Sequence, residues 1–215
     1  FLQNADDLIF GEPAALHLWS SWLGQSLPQT GLGAGGNVSR TAIWVPFGGA
    51  LSVALFFAQG APSTDAIVIL NAFAQVFVVS TAEVLVCWSV VAGVMALVIE
   101  RSRWIAFPIA GIVASVLFGI YHFAHSAPFN TVSMVIFLSV IGLLTSAFFF
   151  ASHDVYATVV FHNFLGVFGV VQAVVAQDNL AAFETLQAPL IGTALITLLV
   201  LIALDLLIRR RGLPS

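Results

Sequence analysis

The chain has 215 residues, 60% of them hydrophobic and only 7% charged, with a formal net charge of -4 and a mean hydropathy of +1.06. Soluble domains carry about 25% charged residues, so this chain has too little charge to cover a water-facing surface, and its composition excludes an ordinary globular protein in favour of an integral membrane one. All six positive charges are arginines, at 40, 101, 103, 209, 210 and 211, which rules out a Schiff-base lysine and leaves no basic patch with interleaved aromatics for nucleic acid.

The first forty residues contain no run long enough to cross a bilayer. From Glu12-Pro13, a favourable helix start, the residues Ala15, Leu16, Leu18, Trp19, Trp22 and Leu23 recur at helical spacing. They predict a short amphipathic helix lying in the interface, its tryptophans at headgroup depth. Residues 24–39, with Gly31, Gly33, Gly35 and Gly36, read as a flexible connector, so the chain divides into an N-terminal segment, 1–40, and a transmembrane domain, 41–215. A helix needs about 20 mostly apolar residues to span the hydrocarbon core. Five runs meet that: 41–59, 104–124, 131–150, 155–176 and 189–208. The sixth, 66–99, is longer and carries one charge, Glu83; without turn residues to split it, it reads as a single crossing with an irregularity near Ser80-Thr81. The fold class is therefore all-α, a polytopic bundle of about six spans. With six crossings every arginine falls on one side, which places both termini in the cytoplasm by the positive-inside rule.

Ionisable groups in the middle of a span are costly and are functional candidates by default. Here they are Glu83, His122, His125 and His162, with Asn163 beside the last. A carboxylate in a low-dielectric site can serve as general base for water, while imidazoles can hold a metal or donate to a developing oxyanion. Glu83, His122 and His162 are the catalytic candidates and also the candidate ligands of a divalent metal. His125, near a helix end, reads as an interfacial side chain reaching headgroups, and His153-Asp154 as a solvated turn. Depth raises a difficulty. At 1.5 Å per residue, Glu83 and His122 lie ~25 and ~30 Å from the inner arginines, but His162 only ~11 Å along its helix from Val155. Either the 151–154 turn is sunk in the protein or the three do not meet.

Phe118-Gly119-Ile120-Tyr121-His122 forms a Phe-x-x-x-His motif at the end of one span, followed by a polar turn to Asn130. Two spans later, Tyr156 to Asn163 carries His162, and one span earlier Thr81-Ala82-Glu83 carries the glutamate. In this order and spacing, roughly residues 66–176 resemble the CAAX-processing and bacteriocin-processing intramembrane proteases, the CPBP family. The family pattern is Glu-Glu-x-x-x-Arg, then Phe-x-x-x-His, then His-x-x-x-Asn. The resemblance implies that a glutamate activates water, that two histidines assist at the reacting carbonyl, and that substrates are prenylated or membrane-bound peptides. The chain departs from the pattern in having one glutamate rather than two, Cys87 or Trp88 where arginine is expected, and Gly166 four residues after His162. Asn163 is the residue left to replace that asparagine, about 100° around the helix from His162.

The leading expectation is thus an intramembrane endopeptidase using Glu83, His122, His162 and Asn163. Two rivals stay open. One is a catalytically inactive relative acting as a structural or regulatory subunit of a membrane complex, its nineteen phenylalanines offering an apolar surface to partner helices. The other is a pigment- or haem-ligating subunit in which His122, His125 or His162 holds the metal centre.

Overall fold

The computed structural model describes residues 34–99, 102–125 and 127–210, and side chains for 41–99, 102–125 and 127–207; the interfacial helix expected at 12–23 lies outside them. Among the described residues there is no strand, and six helices are long and apolar enough to cross a membrane. The protein is all-α and multi-pass. The helices are α1 (Ala34–Ala58), α2 (Ala66–Val98), α3 (Arg103–Tyr121, prolonged by a 3-10 turn at His122–Ala124), α4 (Val132–Ser152), α5 (Val155–Ala176) and α6 (Ala188–Arg210). The first begins at Ala34, inside the segment expected to be a connector. By compactness, Gly33–Leu201 forms one body, and of the remainder only the last turns of α6, from Ile202, are described.

Polar residues at the helix starts satisfy the amides that an α-helix leaves unpaired. The Asp65 carboxylate accepts from the Ile67 and Val68 N–H groups at 2.7 and 3.1 Å, and Asp154 accepts from Ala157 N–H at 2.8 Å. Asp154 also accepts from the Thr41 hydroxyl, tying the start of α5 to α1. The 151–154 turn is only in part the solvated link expected of it, with Ala151 and His153 exposed. Ser152 and Asp154 are buried, so α5 starts inside the protein.

The long helix α2 is continuous. It is α-helical from Ala66 to Glu83, π-helical from Val84 to Ala92 and α-helical again from Gly93 to Val98, which puts the irregularity just past Glu83. The principal helix pairs are α3 with α4, α1 with α5 and α2 with α5. Small residues let the backbones approach. A Cβ on Gly119 of α3 would come within 2.7 Å of the Val135 carbonyl oxygen of α4, and one on Gly142 within 3.0 Å of Ser115 Cα. Apolar residues from α2, α3 and α5, among them Val84, Trp88, Phe118 and Val159, make one core cluster. None of the span Ala188–Leu207 is buried.

Candidate functional site: a buried carboxylate between histidines

Three helices bring polar groups to one place in this apolar interior. Glu83 ends the first α-helical part of α2, His122 opens the 3-10 turn after α3, and His162 lies two turns into α5. All three are buried. His162 Nε2 is 3.2 Å from Glu83 Oε2, and its Nδ1 is 3.0 Å from the Thr145 hydroxyl of α4. With hydrogen on Nε2 the ring donates to the carboxylate, and Nδ1 is engaged by the Thr145 hydroxyl, which also lies 3.4 Å from the Ile141 carbonyl. On the other oxygen, His122 Nε2 stands 3.8 Å from Glu83 Oε1. His122 Nδ1–H donates to the Phe118 carbonyl at 2.8 Å, so in the neutral ring the nitrogen facing Glu83 carries a lone pair. The three residues meet despite the different distances counted along their helices, and Ser152 and Asp154 at the start of α5 are buried.

Aromatic rings enclose this group. Phe118 meets both His122 and His162 edge-on, with centroids 4.6 and 5.0 Å away, and Trp88 lies 5.0 Å from His162. Trp88 is one of the two residues, with Cys87, that stand where the resemblance expects an arginine. Its indole N–H donates to Ser146 Oγ at 2.7 Å, and Ser146 in turn donates to the Gly111 carbonyl at 3.1 Å. The π segment that begins at Val84 buries Cys87 and Trp88, in keeping with the tendency of such turns to occur at functional sites.

Asn163 is fully buried but is not joined to the other three. Its Nδ2 points to the Phe73 carbonyl at 3.5 Å, ten residues and therefore about 15 Å along α2 from Glu83. Its Oδ1 is buried without a hydrogen-bond partner among the described residues. Gly166 faces α2, where a Cβ would come within 2.5 Å of Val76 Cγ1, so Val76 fills the space an asparagine side chain would take. His125, expected at the headgroups, is half-buried and stacks on His122 with centroids 4.9 Å apart and planes at 24°. Its three-residue spacing from His122 is the signal that could have placed it there. Thr145 and Trp88 carried no such signal, since each acts on His162 from another helix. A groove of about 810 Å³ lined by residues of α3 and α4, among them Arg103, Phe107 and Phe150, reaches Ser146 but none of Glu83, His122 and His162.

Chemically, the arrangement is a buried carboxylate with a hydrogen-bond donor on one oxygen and an imidazole lone pair facing the other. Such a group can hold and deprotonate a water molecule or bind a cation. No family model matches the chain, nor does any curated protein or solved structure.

Proposed function

We propose that this protein is an intramembrane endopeptidase of the CPBP type, in which Glu83 activates water to hydrolyse a peptide bond of a membrane-bound or prenylated peptide. The observation that carries the reading is the contact of one buried carboxylate with imidazoles from two other helices, at 3.2 Å and 3.8 Å. In this reading a water at Oε1 loses its proton to the Glu83 group, His162 holds the carboxylate in orientation through Oε2, and His122 lies beside the carbonyl under attack. Glu83→Gln tests it. The substitution keeps shape and hydrogen bonding but removes the base, so turnover of membrane peptides should fall to background while the protein still purifies as a folded species. Unchanged cleavage would exclude Glu83.

A second reading is that of an inactive relative serving as a membrane-complex subunit. Asn163 turned toward Phe73, Gly166 packed on Val76 and a buried Cys87 or Trp88 in the arginine position favour it, because the family's oxyanion donor and its charge partner are both replaced by packing. Failure of the parent protein to cleave any of a broad panel of membrane peptides would select this reading. The haem or pigment reading gains less support, as the Nε2 atoms of both His122 and His162 turn toward Glu83.

We also propose that both termini are cytoplasmic. Six crossings return the chain to its starting side, and all six arginines then share that side.

A further inference from the structure

We infer that Glu83, His122 and His125 form a binding site for one divalent cation of the zinc type. One donor atom from each of the three residues lies within 4.8 Å of the others. His122 donates through Nδ1 to the Phe118 carbonyl, which leaves the Nε2 lone pair facing a carboxylate oxygen 3.8 Å away. Two acceptors facing each other in a low-dielectric interior repel unless a donor or a positive charge lies between them. His125 adds a third group of the same kind. Its Nε2 is buried without a hydrogen-bond partner among the described residues, a state that is costly when nothing compensates it.

The local fold explains why the two histidines converge. They open and cap the short 3-10 turn His122–Ala124, and in a 3-10 turn side chains three apart eclipse one another, so the rings stack. Glu83 reaches the same point from the last α-helical position of α2. One carboxylate and two imidazoles are a common zinc donor set, and one that leaves a fourth position open. Zinc bonds of about 2.0–2.2 Å put donors roughly 3.4 Å apart, so the group would close by up to about 1.4 Å around the ion.

His162 lies outside this ligand set. Its two nitrogens are engaged by Glu83 Oε2 and Thr145, which makes it a positioning residue that orients the carboxylate, as outer partners do for metal ligands. The Phe118 carbonyl does the same for His122. The inference deepens the hydrolytic reading and rests on it only for what the cation serves. A cation there would supply Lewis-acid activation of water or of the scissile carbonyl, and Glu83 would then serve as its ligand in place of the free base at Oε1.

The test uses the full chain, purified in lipid nanodiscs, stripped with a chelator and titrated with Zn²⁺ or Co²⁺. The expected result is one cation per chain, with Co²⁺ giving the intense visible absorption of a tetrahedral site. His162→Ala should weaken binding by the roughly 10–100-fold usual for an outer partner, and His125→Ala by more than that. If His125→Ala does not purify as a monodisperse protein, His125→Gln takes its place. No stoichiometric uptake by the parent, or parent-like binding by the His125 variant, overturns the site. Peptidase assays on the same samples separate this proposal from the reading above. Turnover that survives stripping but is lost in Glu83→Gln keeps the carboxylate as base and overturns the cation's part. One bound cation without cleavage of any membrane peptide keeps the cation and overturns the peptidase.

Discussion

The ionisable residues in the spans were legible in the sequence because a carboxylate or imidazole in an apolar run has so few structural excuses. How they face one another was not. A spacing rule places His125 beside His122, but nothing along the chain shows that Glu83, 79 residues before His162, turns toward it, nor that Asn163 turns away. A polar residue that sequence reading passed over is Asn71, fully buried in α2. Its Nδ2 donates to the carbonyls of Phe183 and Thr185 at 2.9 and 2.8 Å, and its Oδ1 accepts from Gln187 N–H at 3.0 Å, so it pins the loop between α5 and α6. Asn71→Ala leaves those groups unpaired and should destabilise the protein by about 1–3 kcal/mol. It should also speed hydrogen exchange at residues 183–187 well beyond any change elsewhere, and an exchange pattern identical to the parent's would refute the role. Around the carboxylate, Trp88→Phe keeps the ring against His162 but leaves Ser146 without its donor. The expected outcome is a folded protein with reduced turnover, read as kcat against KM, and wild-type kcat would show that the indole is packing only.

At the level of elements, the spans were predicted within a few residues; 131–150 became Val132–Ser152, and 155–176 is Val155–Ala176. The bilayer sets the length of an apolar run, so composition alone locates such helices. The start of α1 was missed, and the burial of Ser152 and Asp154 was foreseen only as one of two alternatives to the depth count, because hydrogen bonds such as those of Asp154 that make a polar turn at home inside a protein are not visible in the sequence. Asp154→Ala removes a helix cap and the Thr41 contact together, and a loss of about 1–2 kcal/mol in unfolding measurements is expected. The π segment was foreseen only as an irregularity. A π turn closes over more residues than an α turn, so deletions inside and outside Val84–Ala92 should not be equivalent. Deleting Val91, inside the segment, lets π turns relax to α. Deleting Val78 turns Glu83 by about 100° relative to the helix before it. Size-exclusion profiles should show more folded protein for the first deletion than for the second, and equal profiles would argue against the segment as a reserve of length.

For the molecule as a whole, the proposed orientation predicts that single cysteines at Ser63 and Gln187, introduced into a Cys87→Ser background, react with an impermeant reagent from outside the cell. One at Ser102 should not. The reverse pattern would place the termini outside. The distribution of the cluster over α2, α3 and α5 also bears on how the protein is made. Helices enter the bilayer in the order of synthesis, and at roughly 5–20 residues per second the ribosome needs about 4–16 s to travel from Glu83 to His162. Throughout that interval the α2 carboxylate has no imidazole from α5 to receive it, so its transfer into lipid has to be favourable on the strength of the surrounding apolar residues alone. Selection on α2 therefore acts twice, first by the translocon on a solitary hydrophobic segment and later by the assembled site.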